Sequence, residues 1–218
     1  MKSMGLRRLF IVGNSMINAP EARRLAVHAT DILDNAVHSD SLERAVRGCS
    51  FIAGITRRPG QRRKHIYATP RQLAQKLRLL DSEIAIVFGN EVSGLSDDEL
   101  MKCHAAVMIP SSELCPSLNL SHAVQVIAYE VRATLYEEGN LPTYSAVDDQ
   151  TLAEVIAGII TSINAIGFHT QDGPQGMGVF LRDILARATL STTEAERIGA
   201  LFAKMAGMTT HSCRPSKD

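Results

Sequence analysis

The chain has 218 residues, 45% hydrophobic, 5% aromatic and 21% charged, a globular composition sufficient for one well-cored domain with a small appendage. It lacks the roughly 18 unbroken apolar residues of a membrane span, and its short basic N-terminus has no signal-peptide core, so it reads as a cytoplasmic protein. The formal net charge of zero conceals a division: residues 1–80 hold 15 Lys and Arg against 5 Asp and Glu, and residues 81–218 hold 8 against 18, the pattern of a chain with a basic face for a polyanion.

Leu9 to Gly13 reads as a strand stopped by glycine, and Pro20 opens a helix through Ala26. A short helix over Ser41–Val46 and a strand over Cys49–Gly54 follow. The alternation of strands and helices predicts a parallel sheet flanked by helices. The next segment, Ile55 to His65, carries five positive charges in eleven positions around Pro59-Gly60. Such a loop suits phosphates, which arginine grips bidentately, so Arg58, Arg62, Arg63 and Lys64 are candidate RNA contacts; a merely solvated loop is the competing reading.

Thr69-Pro70 caps a helix to about Leu80. The apolar run Ile84–Phe88 is a strand ending on Gly89, and Ser96 with Glu99 has capping-box spacing for a short helix to Cys103. Cys49, Cys103, Cys115 and Cys213 contain no C-x-x-C pair, which argues against disulfides and against a zinc site. Ala105–Ile109 is a further strand. From Ser117 to about Glu138 the apolar positions follow a helical period. Two strand ends and a helix start converge here, where open α/β sheets place their ligands. The chain divides into a domain over 1–139, a linker over 140–147 and a helical extension over 148–218, with helices at 149–166, 177–188 and 193–206. In that extension His169 and Arg182 read as surface residues.

Neither G-x-G-x-x-G nor G-x-x-x-x-G-K-[ST] occurs, and Glu91 and Leu95 occupy the glycine positions that a nucleophile elbow at Ser93 would need. The residues Phe88-Gly89-Asn90-Glu91-Val92-Ser93-Gly94-Leu95-Ser96, then Ile109-Pro110, then Pro116-Ser117-Leu118-Asn119-Leu120 with Ala128-Tyr129-Glu130, closely resemble motifs two and three of the SpoU/TrmH-type RNA 2'-O-ribose methyltransferases of the SPOUT superfamily. Within that family the likeness is greatest to the TrmJ group, which methylates cytidine or uridine 32 of the tRNA anticodon loop. Gly54-Ile55-Thr56-Arg57-Arg58 resembles the family's glycine-threonine-x-arginine loop, and the likeness covers nearly the whole chain.

The resemblance implies a C-terminal trefoil knot in the methyltransferase domain, a homodimer, tRNA as partner and S-adenosylmethionine as methyl donor. Carried over by position, the cofactor pocket is Ile55, Thr56, Arg57, Gly89, Ile109, Pro116, Ser117 and Leu118. The implied catalytic group is Ser117 and Asn119, which orient the 2'-hydroxyl or the ribose, with Glu91 holding the glycine loop. The family's first strand and motif one, with its arginine, have no counterpart here, and Arg7 and Arg8 lie past that motif. The expectation is that the natural chain starts earlier, and that without this strand a sheet edge is left exposed. The alternative is a catalytically impaired or inactive dimeric tRNA-binding relative.

Overall fold

The computed structural model describes residues 1–13, 19–57, 69–114, 117–136, 143–168 and 173–212. These fall into two compact units. The first comprises residues 1–47, 52–79 and 84–142; the second comprises 48–51, 80–83 and 143–218.

The first unit starts with a 3-10 turn at Lys2–Met4 and the strand β1 (Phe10–Val12). Helices α1 (Ala19–Ala26) and α2 (Thr30–Asp34) lead to β2 (Val37–Ser39), which pairs parallel to β1 with Ile11 opposite His38. Helix α3 (Leu42–Ala45) is capped by the Ser41 hydroxyl, which accepts from the Arg44 N–H. Then come β3 (Phe51–Ile55), α4 (Pro70–Leu77), β4 (Ile84–Phe88), α5 (Asp97–Met101), β5 (Ala105–Val107) and α6 (Leu120–Tyr136). Strands β4, β3 and β5 form one sheet in that order, with β3 and β5 parallel and Gly54 opposite Ala106.

The parallel alternation predicted from sequence is present, but in two sheets rather than one. Strands β3 and β5 are buried along their whole length, as their apolar runs require. Strand β4 is equally apolar, yet every one of its five residues is only half-buried. The core lies under α4 and α6, which pack together: Leu73 and Leu77 from α4, Ile127 and Val131 from α6, and Ile52 and Val107 from the sheet. Helix α4 has the full capping box, Thr69 with Gln72, and stops at Leu77, three residues short of the sequence reading. Strand β2 was not foreseen: of its three residues only Val37 is strongly apolar, too little for a strand pattern.

The second unit contains α7 (Asp149–Ala165), α8 (Gly173–Ala188) and α9 (Thr192–Ser212). It also includes the short segments 48–51 and 80–83, joined to it by backbone bonds from Asp81 N–H to the Tyr144 carbonyl and from Asp149 N–H to the Cys49 carbonyl, each 3.1 Å. Asp148 caps α7, accepting from the Thr151 N–H at 2.8 Å. Leu152, Ile156, Ile159 and Ile163, at helical spacing, meet Leu185 and Leu190 in its core. Helix α8 begins four residues earlier than its apolar pattern indicates, since Gly173 and Pro174 are tolerated in a first helical turn. Arg182 is not a plain surface residue. It pairs with Asp149 at 2.5 Å, its side chain less than a third exposed, and ties α8 to the start of α7. His169 lies outside the described residues.

A capping box also opens α9: Glu194 Oε2 accepts from the Ser191 N–H at 2.8 Å and from its hydroxyl at 2.7 Å. These bonds hold the Glu194 carboxyl below its ordinary value of 4.5. A depressed folded value stabilises the fold above the unfolded value and loses that contribution as pH falls through the folded one. Glutamine can still accept in the cap but cannot titrate. The stability gap between the natural chain and Glu194→Gln, followed by thermal unfolding, should therefore shrink or reverse in favour of the variant as pH drops from about 6 to about 3. A gap constant over that range would show that the carboxylate charge contributes nothing.

Candidate functional site

The carboxyl ends of β3, β4 and β5 open into a cavity of about 340 Å³ in the first unit. Its walls come from four segments far apart in sequence. Ile55, Thr56 and Arg57 leave β3; Phe88 and Gly89 end β4; Ile109 follows β5; and Ser117, Leu118, Leu120 and Ala123 come from the start of α6 and the residues before it. The Thr56 N–H donates to the Val107 carbonyl at 3.0 Å, so the exits of β3 and β5 are fixed to each other.

Residues 90–95 fold back over the end of β4. A Cβ on residue 89 would lie 2.0 Å from the carbonyl carbon of Gly94 and 2.2 Å from the Leu95 nitrogen, so only glycine admits this backbone-to-backbone approach. Asn90 closes the loop. Its Oδ1 accepts from the N–H groups of Val92 (3.0 Å) and Ser93 (2.8 Å) and from the Ser93 hydroxyl (3.1 Å). Its carbonyl accepts from the Gly94 N–H at 3.0 Å, with Gly94 turned into the left-handed region at φ +70°. This is the self-bonding loop that asparagine favours. The loop then runs into α5, whose capping box pairs the Ser96 hydroxyl with the Glu99 N–H and the Glu99 carboxylate with the Ser96 N–H.

Seven of the eight cofactor-pocket residues carried over by resemblance line this one cavity: Ile55, Thr56, Arg57, Gly89, Ile109, Ser117 and Leu118. The eighth, Pro116, lies outside the described residues, as do Arg58, Arg62, Arg63 and Lys64 of the basic loop. Glu91 also lines the cavity, but the hydrogen bonds that hold the glycine loop run to Asn90, a residue singled out only as part of the motif. Its turn-forming preference was the signal in the sequence. Asn119 does not line the cavity. It caps α6: Oδ1 accepts from the Ser121 N–H at 2.9 Å and the Ser121 hydroxyl at 2.8 Å, and the Asn119 carbonyl accepts from the Ala123 N–H. That cap fixes the end of the helix that presents Ser117 and Leu118 to the cavity.

Among the described residues no group of His, Cys, Asp and Glu could hold a metal ion, and no helix is long and apolar enough to cross a membrane. The cavity is of the size that takes a small organic ligand, and apolar side chains and convergent polar groups share its walls. Its charged lining residues are Arg57, Glu91 and Asp97.

Residues 1–129 match the SpoU rRNA Methylase family. The tRNA (cytidine/uridine-2'-O-)-methyltransferase TrmJ of Citrobacter koseri is 34% identical over 215 residues, 94% of this chain and 87% of that protein. The tRNA (cytidine-2'-O-)-methyltransferase TrmJ of Methanocaldococcus jannaschii is 42% identical over 133 residues, 60% of this chain and 58% of that protein. Among solved structures, TrmJ from Z. mobilis ZM4 superposes with a TM-score of 0.71 over 94% of this chain and 89% of that one; at 22% identity this likeness speaks to the fold alone. The family match over more than half the chain, together with the near full-length relative, shows that the chain belongs to the SpoU methylase family, as a TrmJ-type member of the SPOUT RNA 2'-O-methyltransferases.

Proposed function

We propose that this protein transfers a methyl group from S-adenosylmethionine to the ribose 2'-hydroxyl of nucleotide 32, a cytidine or uridine, in the anticodon loop of a tRNA. The observation that carries the reading is the single cavity that gathers residues from both family motifs at three strand ends. The residues present fit the donor. Ile55, Ile109, Leu95 and Leu118 offer apolar walls for a purine, the strand-end backbone offers hydrogen bonds, and Gly89 leaves the loop free to close directly onto the strand.

When bound, S-adenosylmethionine supplies a methyl group on a positively charged sulfur, electrophilic enough to need no covalent enzyme intermediate. The protein's task is then alignment and removal of one proton. The loop that Asn90 holds shapes one wall, and Ser117, a lining residue just before α6, supplies the hydroxyl that orients the acceptor ribose. The basic segment with Arg58, Arg62, Arg63 and Lys64 grips the tRNA backbone, as its charge density supports.

The family fold supports a trefoil knot in the methyltransferase domain over residues 1–139, with 148–218 as a helical extension. It also supports a homodimer, and a tRNA substrate fits a cytoplasmic protein. The exposed Tyr129, Leu135 and Tyr136 on α6 give such a dimer apolar area to bury. The test is incubation of the protein with unmodified tRNA and methyl-labelled S-adenosylmethionine, with the product mapped by alkaline hydrolysis. Protection of the bond after nucleotide 32 is the expected result. Protection elsewhere refutes the position, and tRNA binding without any protection supports the non-catalytic relative instead.

A further inference from the structure

The cavity has an uneven charge count. Two carboxylates, Glu91 and Asp97, and one guanidinium, Arg57, line it, for a net charge of −1 among the described residues. Glu99, next along α5, has its carboxylate turned back onto Ser96 at 2.8 Å from both its N–H and its hydroxyl, and does not line the cavity. Asp97 stands at the first position of that helix, one residue past the cap, and lines the cavity.

This inference rests on the proposed use of S-adenosylmethionine. The donor carries two positive groups, the sulfonium and the α-ammonium, against one carboxylate, a net +1. In the transfer the S–CH3 bond breaks with its electron pair staying on sulfur, the new O–CH3 bond forms on the ribose, and the 2'-hydroxyl proton passes to water. The spent cofactor, S-adenosylhomocysteine, keeps the ammonium and the carboxylate and is net neutral. Donor and product therefore differ by one methyl group and one unit of charge. The described lining, of net charge −1, distinguishes them by that charge.

We propose that Asp97, together with Glu91, is a specificity-determining pair that makes the cavity prefer the positively charged donor to its neutral product. Arg57 suits the carboxylate common to both ligands and works against the preference. The consequence is product release: once the methyl group has left, the ligand loses the attraction that brought it in, and fresh donor displaces it. Both carboxylates are exposed, so water weakens the field. A unit charge about 5 Å away in a water-rich site changes the preference by roughly threefold to tenfold, an effect that falls as salt rises.

The experiment is calorimetric titration of the full chain with S-adenosylmethionine and, separately, with S-adenosylhomocysteine. It compares the natural protein with Asp97→Asn, Glu91→Gln and Arg57→Gln. The quantity read is the ratio of the two dissociation constants. It should favour the donor in the natural protein, fall about threefold to tenfold in each carboxylate variant, and rise in Arg57→Gln. Product binding retained by Asp97→Asn reports that its pocket is folded, since the capping pair Ser96 and Glu99 is untouched. If Asp97→Asn weakens both ligands equally, Asp97 holds the shared ammonium and the proposal is overturned. If the ratio is the same in all four proteins, the proposal is overturned while the cofactor reading stands. If the natural protein binds neither ligand, the cofactor reading falls and this inference with it.

Discussion

Gly89→Ala should destabilise the first unit by about 2–3 kcal/mol and abolish ligand binding in the cavity. The added Cβ would sit 2.0 Å from the Gly94 carbonyl carbon, 2.4 Å from its oxygen and 2.2 Å from the Leu95 nitrogen. These are backbone atoms, which cannot swing away as a side chain would. Moving them means breaking the Asn90 hydrogen bonds at 2.8–3.1 Å that hold the loop over the strand end. Overpacking of a well-packed site costs typically 1–3 kcal/mol, and backbone on the receiving side places this case at the upper end. Urea unfolding gives the stability change and calorimetry gives the loss of S-adenosylmethionine binding. A variant of natural stability and affinity would mean that the loop does not fold back on β4 as described.

Ile159→Ala should cost the second unit about 2–5 kcal/mol, the range for truncating a fully buried isoleucine. Ile159 is 1% exposed, midway along α7, where that helix packs against both α8 and α9. Among the described residues the unit's core cluster contains eight buried residues, Ala186 and Ala195 among them, with Ile160, Leu181, Ile198 and Phe202 partly buried against it. The large buried side chains of this core are six, Leu152, Ile156, Ile159, Ile163, Leu185 and Leu190, and Ile159 is central among them. Thermal unfolding followed by circular dichroism should show the helical signal lost at lower temperature. A change under about 1 kcal/mol would show that the three helices do not share this core.

The regular elements were legible wherever local chemistry is unambiguous. Ser96 with Glu99 and Thr69-Pro70 mark helix starts that the structure contains, and Ile84–Phe88 is a strand with the predicted ends. Failures follow from competing physics. Val37-His38-Ser39 carries too little apolar character to announce a strand, and it becomes one because β1 offers a parallel edge. Gly173 and Pro174 look like breakers but sit in a first turn, where Pro costs little. Arg182 looked solvated because its partner, Asp149, is 33 residues away in sequence.

The cavity was legible only in part. That two strand ends, at Gly89 and near Pro110, meet the start of a helix follows from the pattern, but that Thr56 joins them came from the resemblance, since no periodicity relates segments so far apart. The place of Asn119 shows the limit of carrying a motif across: the residue is where the pattern puts it, and its carbonyl oxygen is engaged in capping α6. Asp97 drew attention only as part of a helix start, because its approach to the cavity depends on how the loop before it folds.

The most direct test of the account is methyl transfer to two forms of one tRNA, identical except that nucleotide 32 carries a ribose in one and a 2'-deoxyribose in the other. The account predicts incorporation of labelled methyl from S-adenosylmethionine into the ribose form and none into the deoxy form. Equal labelling of both forms, or labelling of neither by protein that binds both, would contradict it.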